Sequence, residues 1–161
     1  MMKRYHLLAV LVLVIGCQAA EQGGQGRPGE TPHPAFDAEG LVEAWVTLWN
    51  TYDLSLVDEL FLADSRVTYL SSEKEGLIKG IEAVRDHHVQ FGFVDGGKEP
   101  EQELWVEELN WNDYGTAAVV TGVWFFGSRD DVERAQRGPL TFVYVRAGDE
   151  YRLAHVHFAS Y

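Results

Sequence analysis

The hydrophobic pattern of the chain changes period near residue 100, and this change limits the possible folds more than any other feature. Before it, Leu41, Trp45, Leu48 and Trp49 recur at helical spacing and give one apolar face. After it, apolar residues alternate or run on continuously, as they do in strands. Helices first and a long antiparallel meander last predict an α+β domain with the helices on one face of a curved sheet.

Capping residues and turns set the predicted elements. Asp37 is expected to cap a first helix, Ser55 a short second helix, and 81–91 is expected to form a third. The predicted strands are 67–70, 77–80, 103–109, 116–126, 139–145 and 151–159. The run 116–126 is almost continuously apolar, which predicts a strand buried on both faces.

The N-terminal segment has the parts of an export signal. Lys3 and Arg4 are basic, and residues 7–15 are all apolar. This run is shorter than the about 20 residues that a membrane-spanning helix needs, but it fits the apolar region of a cleaved signal, about 7–15 residues. We therefore predict that residues 1–16 are a signal peptide.

The residues before Cys17 resemble a bacterial lipobox, in which the cysteine thiol receives a diacylglyceryl group. The tetrapeptide 14–17 reads Val-Ile-Gly-Cys, and Cys17 is the only cysteine in the chain. The resemblance implies two or three acyl chains such as palmitate, hence a stable anchor, because one chain alone holds only marginally. Gln18 follows the cysteine, which favours the periplasmic face of the outer membrane if the bacterium is a diderm. The alternative is an ordinary signal peptide with an incidental cysteine.

Composition separates a tether from a globular domain and limits the partners. Residues 17–35 hold the lipidated cysteine and a stretch of Gly, Pro and Gln with little to bury, so we predict a flexible tether there and one domain over 36–161. The chain has 13 basic and 25 acidic residues, a formal net charge of −12, which argues against a nucleic-acid partner. One cysteine excludes a cysteine-based zinc cluster, and we predict neither a metal ion nor a cofactor.

Four stretches of the domain follow a known pattern. They are the helix 41–53, Leu60-Phe61 with Asp64, the segment 80–86 with the pattern G-x-e-x-i, and the strand 148–157, which is similar to G-x-W-k-I-v-H-x-H with Tyr151 for the usual Trp. Together they resemble the nuclear transport factor 2-like superfamily, in its SnoaL-like branch. The last strand also resembles the association domain of calcium/calmodulin-dependent protein kinase II. The resemblance covers about 38–161. It implies a cone-shaped fold, with three N-terminal helices packed on a strongly curved, mostly antiparallel sheet, and pairing of two copies through the outer sheet face.

His155 and His157 are the strongest candidates for chemistry. They lie two apart on a predicted strand, so they project from one face, which Leu153 and Ala159 are expected to share. Facing inward, the two imidazoles could serve as general acid and base near neutral pH, or chelate a metal if a third ligand came from elsewhere. The alternative is structural: hydrogen-bonded histidines that shape the pocket or the seam of a dimer.

Aromatic side chains and one further histidine are candidate walls of a ligand pocket. His88 lies near the apolar stripe of the third helix, whereas His87 points about 100° away and is expected to be solvated. The candidate lining residues are Tyr52, Tyr69, His88, Trp105, Trp124 and Tyr144. Each of these side chains also fits an ordinary core position.

Two functions from different classes fit these observations. The first is a membrane-anchored envelope lipoprotein whose SnoaL-like domain binds a small apolar or aromatic molecule, or a protein partner, without catalysis. The second is a cofactor-independent lyase or isomerase, of the dehydratase, isomerase or cyclase type, with His155 and His157 as general acid and base. The base of ketosteroid isomerase is missing, because the aligned position holds Leu70. A homodimer is expected from the family resemblance.

The anchor gives the first testable prediction. Cys17→Ala removes the thiol that would carry the lipid, so the variant should leave the membrane fraction or stay unprocessed. Partition between detergent and aqueous phases measures this. Unchanged partition into the detergent phase would contradict the anchor.

Overall fold

The computed structural model describes residues 35–161. The predicted signal peptide, Cys17 and nearly all of the predicted tether lie outside the described residues. No helix within 35–161 is long and apolar enough to cross a membrane.

Helices α1, α2 and α3 span Ala38–Thr51, Ser55–Leu60 and Ile81–Gln90. Asp37 caps α1 as predicted, because its carboxylate accepts a hydrogen bond of 3.0 Å from the backbone N–H of Gly40. The helix ends at Tyr52, whose φ of 53° is left-handed. Here the chain leaves the helix and meets the loop after α3, where the N–H of Val94 donates to the carbonyl of Tyr52 at 3.0 Å.

A six-stranded sheet forms the other layer, in the order β2-β1-β6-β5-β4-β3. Its strands are β1 Thr68–Leu70, β2 Ile78–Lys79, β3 Glu103–Asp113, β4 Ala117–Gly127, β5 Gln136–Ala147 and β6 Glu150–Phe158. Strands β3 to β6 form the predicted antiparallel meander, and β1 pairs in parallel with β6. The α+β class and the curved sheet are confirmed. The helices do not all precede the sheet, because β1 and β2 come before α3.

Strand β3 is longer than predicted. It continues beyond Leu109 to Asp113, with a shift of register between Glu107 and Asn110. Glu108 takes a positive φ of 55° inside this irregularity. A bulge of this kind bends the strand and lets it curve with the sheet.

A second irregularity, in β6, changes which residues face the core. Leu153 pairs with Tyr144 and His155 pairs with Val143, so Ala154 is an extra residue in the ladder. An extra residue breaks strict alternation, and the side chains on either side of it exchange faces. Leu153 is therefore fully buried on the inner face. The prediction that it shares a face with the histidines is wrong.

Strand β4 is buried on both faces only near its C-terminal end. Val120 and Trp124 are buried on the inner face. On the outer face Val119 is half-buried and Thr121 is exposed, whereas Phe125 is buried. The predicted burial on both faces therefore holds at one end of the strand.

Gly138 on β5 lies against the last residues of the chain. A Cβ at this position would clash with the carbonyl oxygen of Ala159. Because that oxygen also accepts the indole N–H of Trp124 at 2.8 Å, a side chain here must displace an anchored segment.

We expect Gly138→Ala to lower the free energy of unfolding by about 1–3 kcal/mol, since added volume in a packed site forces backbone shifts. Urea denaturation measures the loss. The control is Arg137→Ala on the same strand, an exposed residue whose truncation should cost less than about 0.5 kcal/mol. Equal free energies of unfolding for the two variants would contradict this expectation, because the terminal segment would then move aside without loss of stability.

Candidate functional site

A cavity of about 210 Å³ opens between the end of α1 and the inner face of the sheet. Its lining is mainly aromatic, with a few polar residues. The apolar lining residues are Trp49, Tyr52, Tyr69, Phe91, Leu104, Trp124, Phe126 and Phe158, and the polar ones are Ser71, Ser72, Glu73 and Gln136.

Phe158, at the end of β6, joins the walls of this cavity. Its ring lies 5.0 Å from the ring of Trp124, 6.0 Å from that of Trp49 and 6.4 Å from that of Tyr69, measured between centroids. These rings come from α1, β1 and β4. Trp124 is held further by its hydrogen bond to Ala159. The aromatic wall is therefore fixed by contacts between distant elements.

The polar rim follows β1. The hydroxyl of Ser71 accepts the backbone N–H of Glu73 at 3.1 Å, and the hydroxyl of Ser72 donates to the Glu73 carboxylate at 3.4 Å. Gln136, the first residue of β5, completes the rim. Among the residues that line the cavity, only Glu73 carries a charge at neutral pH.

Two adjacent histidines of α3 lie behind the aromatic wall. His87 and His88 are 2% and 0% exposed, although His87 was expected to be solvated. The Nδ1–H of His88 donates to the carbonyl of Val84 at 2.8 Å, and no residue in 35–161 hydrogen-bonds Nε2 of either histidine. Burial lowers the pKa of both imidazoles to about 4, and the charge of Lys74 adds to this for His87. Both are therefore neutral at neutral pH.

His155 and His157 lie on the outer face of the sheet, away from the cavity. Their ring centroids are 6.5 Å apart, and His155 Nδ1 is 2.8 Å from the hydroxyl oxygen of Thr68 on β1. Burial lowers the pKa of His155, and His157 lowers it further. Within residues 35–161, no three His, Cys, Asp or Glu side chains are grouped to hold a metal ion. The catalytic role of the pair stays a prediction, and neither histidine lines the cavity.

Solved structures with the same arrangement of helices and strands identify the fold. A nuclear transport factor 2-like superfamily protein from Salmonella enterica superposes with a TM-score of 0.62 at 18% identity, over 75% of this chain and 86% of that one. The fold is nuclear transport factor 2-like. A protein of this fold and unknown function from Pseudomonas putida gives a TM-score of 0.63 at 18% identity, over 74% and 81% of the two chains. The association domain of CaMKII from C. elegans gives 0.57 at 20% identity, over 73% and 88%. No protein-family model and no curated protein matches the sequence.

Three of the predicted pocket residues line the cavity of this nuclear transport factor 2-like domain: Tyr52, Tyr69 and Trp124. His88 does not reach the lining, but its ring contacts that of Tyr69 at 5.7 Å. Tyr144 is a core residue, 5.8 Å from Phe142 between ring centroids.

Trp105 lies outside the cavity. Its ring stacks on Phe125 across β3 and β4, with centroids 5.1 Å apart and an angle of 7° between planes. The guanidinium of Arg129 lies 4.9 Å from the Trp105 ring. Residues 104 and 105 point to opposite faces of β3, so Leu104 lines the cavity instead.

Several lining residues were missed by sequence reasoning. Phe126 could have been found, because it lies two residues after Trp124 on the same strand and so shares its face. Trp49 lies on the predicted apolar stripe of α1. The polar rim at 71–73 carries no sequence signal beyond that of a turn, because only the fold brings it beside α1 and β4.

The two buried neutral histidines make stability depend on pH. Their folded pKa of about 4 lies below the ordinary value of 6.5, so the unfolded chain binds more protons between these two values. The free energy of unfolding should therefore fall as the pH drops from 6.5 to 4. The double variant His87→Leu, His88→Leu should lose this part of the slope, measured by urea unfolding at pH 7 and pH 5.

The control for the pH measurement is Gln90→Leu, because Gln90 is exposed on the same helix and has no ionisable group. The readout is the difference between the two pH values, so a uniform change in stability does not affect it. The same pH dependence in the wild type and the double variant would contradict the attribution of this pH dependence to His87 and His88.

Proposed function

We propose that this protein is a lipid-anchored protein of the bacterial envelope whose SnoaL-like domain binds a small apolar or aromatic molecule without transforming it. The observation that carries this proposal is the aromatic cavity. Aromatic side chains offer large apolar surfaces at low entropic cost. At about 210 Å³ the cavity is smaller than the about 300–1,000 Å³ of sites for drug-sized molecules, which suits a ligand with a single ring.

The chemistry of the lining supports binding over catalysis. No imidazole in 35–161 lines the cavity. Its two tyrosines are poor acid–base catalysts near neutral pH, because burial raises the pKa of both Tyr52 and Tyr69. The alternative, a lyase or isomerase that uses His155 and His157, would need its substrate on the outer face of the sheet.

The anchor rests on the sequence. The apolar run 7–15 and the single cysteine that follows it support acylation of Cys17. We place the domain on the outside of the cytoplasmic membrane, and on the periplasmic face of the outer membrane in a diderm. The acidic balance of the chain supports a partner other than nucleic acid.

We also propose a homodimer that pairs through the outer face of the sheet. One row across four strands holds Val119, Val143, His155 and Thr68. The next row holds Thr121, Thr141, His157 and Leu70. Five of these eight side chains are β-branched, one is leucine and two are histidines, and none is Lys, Arg, Asp or Glu, which suits close packing of two sheets. The likeness to an association domain supports the same pairing.

The cavity can be tested with p-cresol as a small aromatic ligand. We expect it to raise the melting temperature in a saturable way, because ligand that binds only the folded state stabilises it. Gln136→Trp should fill the mouth and abolish the effect. Arg137→Trp is the matched control, since residue 137 is exposed and pairs with Phe125 away from the cavity. No saturable shift in the wild type, or equal shifts in both variants, would contradict a ligand site here.

The dimer can be tested by light scattering. Thr141→Arg introduces a charge at the centre of the outer face and should convert dimers to monomers. Thr47→Arg, on the exposed side of α1, should leave the dimer intact. A monomeric wild type would contradict the proposed pairing.

A further inference from the structure

The ionised groups at the cavity are acidic. Glu73 is the only lining residue charged at neutral pH, and no Lys or Arg lines the cavity. Glu101 lies close enough to Tyr52 to add to the effect of burial in raising the pKa of that hydroxyl. We propose that the ligand of this cavity is an organic cation, an ammonium group with apolar substituents. This inference rests on the binding function proposed above and names its ligand class.

Aromatic rings attract cations because the face of each ring is electron-rich. Tryptophan is the strongest of the three ring types, and the cavity has two, Trp49 and Trp124. The ring of Phe158 contacts both tryptophans, and the ring of Tyr69 contacts Phe158. Cages of this composition, with a carboxylate beside them, are the usual recognition site for alkylated ammonium groups.

One ring of the lining already holds an ammonium group of the protein itself. Nζ of Lys98 lies 4.8 Å from the centroid of the Tyr52 ring, and the ring of Phe93 stacks on Tyr52 at 4.6 Å. Tyr52 is thus occupied, and the charge of a ligand would meet Trp49, Trp124 and Tyr69 instead.

Two lysines lie near the cavity without lining it. The ammonium of Lys98 lies over the ring of Tyr52. The charge of Lys74 lowers the pKa of His87, which lies behind the aromatic wall. Both lysines are exposed, as Glu73 is, so solvent screens all three charges and neither lysine outweighs the carboxylate in the lining. The chain as a whole carries a formal net charge of −12, which raises the local concentration of cations. The field at the mouth therefore favours a positive ligand.

The polar groups of the rim fit an anion poorly. A carboxylate or phosphate is held by Arg, Lys or several backbone N–H groups. The rim offers the hydroxyls of Ser71 and Ser72 and the amide of Gln136, together with the repelling charge of Glu73. Glu73 is exposed at the rim, where its carboxylate accepts a hydrogen bond from Ser72 through one oxygen and can meet a cation through the other.

Two ligands of the same shape isolate the effect of charge. Phenyltrimethylammonium and tert-butylbenzene differ by a nitrogen cation in place of a carbon. We expect the purified full chain, produced as the Cys17→Ala variant so that no lipid is attached, to bind the cation about 3- to 30-fold more tightly in detergent-free buffer, measured by NMR titration. Glu73→Gln should weaken binding of the cation several-fold, about as expected for loss of one nearby charge, and leave tert-butylbenzene unchanged. Glu75→Gln, an exposed carboxylate outside the cavity, is the matched control and should change neither.

The outcomes separate this inference from the binding function. Equal affinity for the two ligands, or tighter binding of benzoate, would overturn the cation and leave an apolar site. Equal weakening by Glu73→Gln and Glu75→Gln would overturn the role of Glu73. If neither these ligands nor p-cresol bound, the binding function itself would fail.

Discussion

The packing of aromatic rings around Phe158 is the interaction on which the cavity depends. This one side chain, near the end of the described chain, touches rings from α1, β1 and β4. Trp124 is fixed against the same terminal segment by its bond to Ala159. Because the contacts join elements that are far apart in sequence, the walls form only when helix, meander and closing strand are all in place. The site is a property of the assembled domain.

The electrostatics of the cavity follow from what is buried around it. His87 and His88 are uncharged at neutral pH because burial disfavours the imidazolium. The wall behind the rings is therefore neutral, and the charge at the opening belongs to Glu73. Under the proposed binding function, the apolar interior would attract a ring, and the single carboxylate at the rim would favour a positive charge on it.

Much of this fold could be predicted from the sequence, and the failures have physical causes. Helix α1 was predictable from its apolar stripe and its cap at Asp37, and the meander from its alternation. The face of Leu153 was not, because the extra residue at Ala154 leaves no mark in the amino-acid pattern. Trp105 and Trp124 look alike in sequence, yet one lies outside and one inside, since the face of a strand depends on its register in the sheet. The sequence predicted a solvated His87 because the apolar stripe of α3 indicates only one buried face of the helix. In the structure the rings of Tyr69 and Phe91 cover His87 on a second face.

The most direct test of the account uses four of the five tryptophans as reporters. In an NMR titration with p-cresol, the indole N–H signals of Trp49 and Trp124 should shift with one common affinity. Those of Trp105 and Trp111, which lie outside the cavity, should stay unchanged. Shifts confined to Trp105 and Trp111, or no shift in any signal, would contradict the cavity as the binding site.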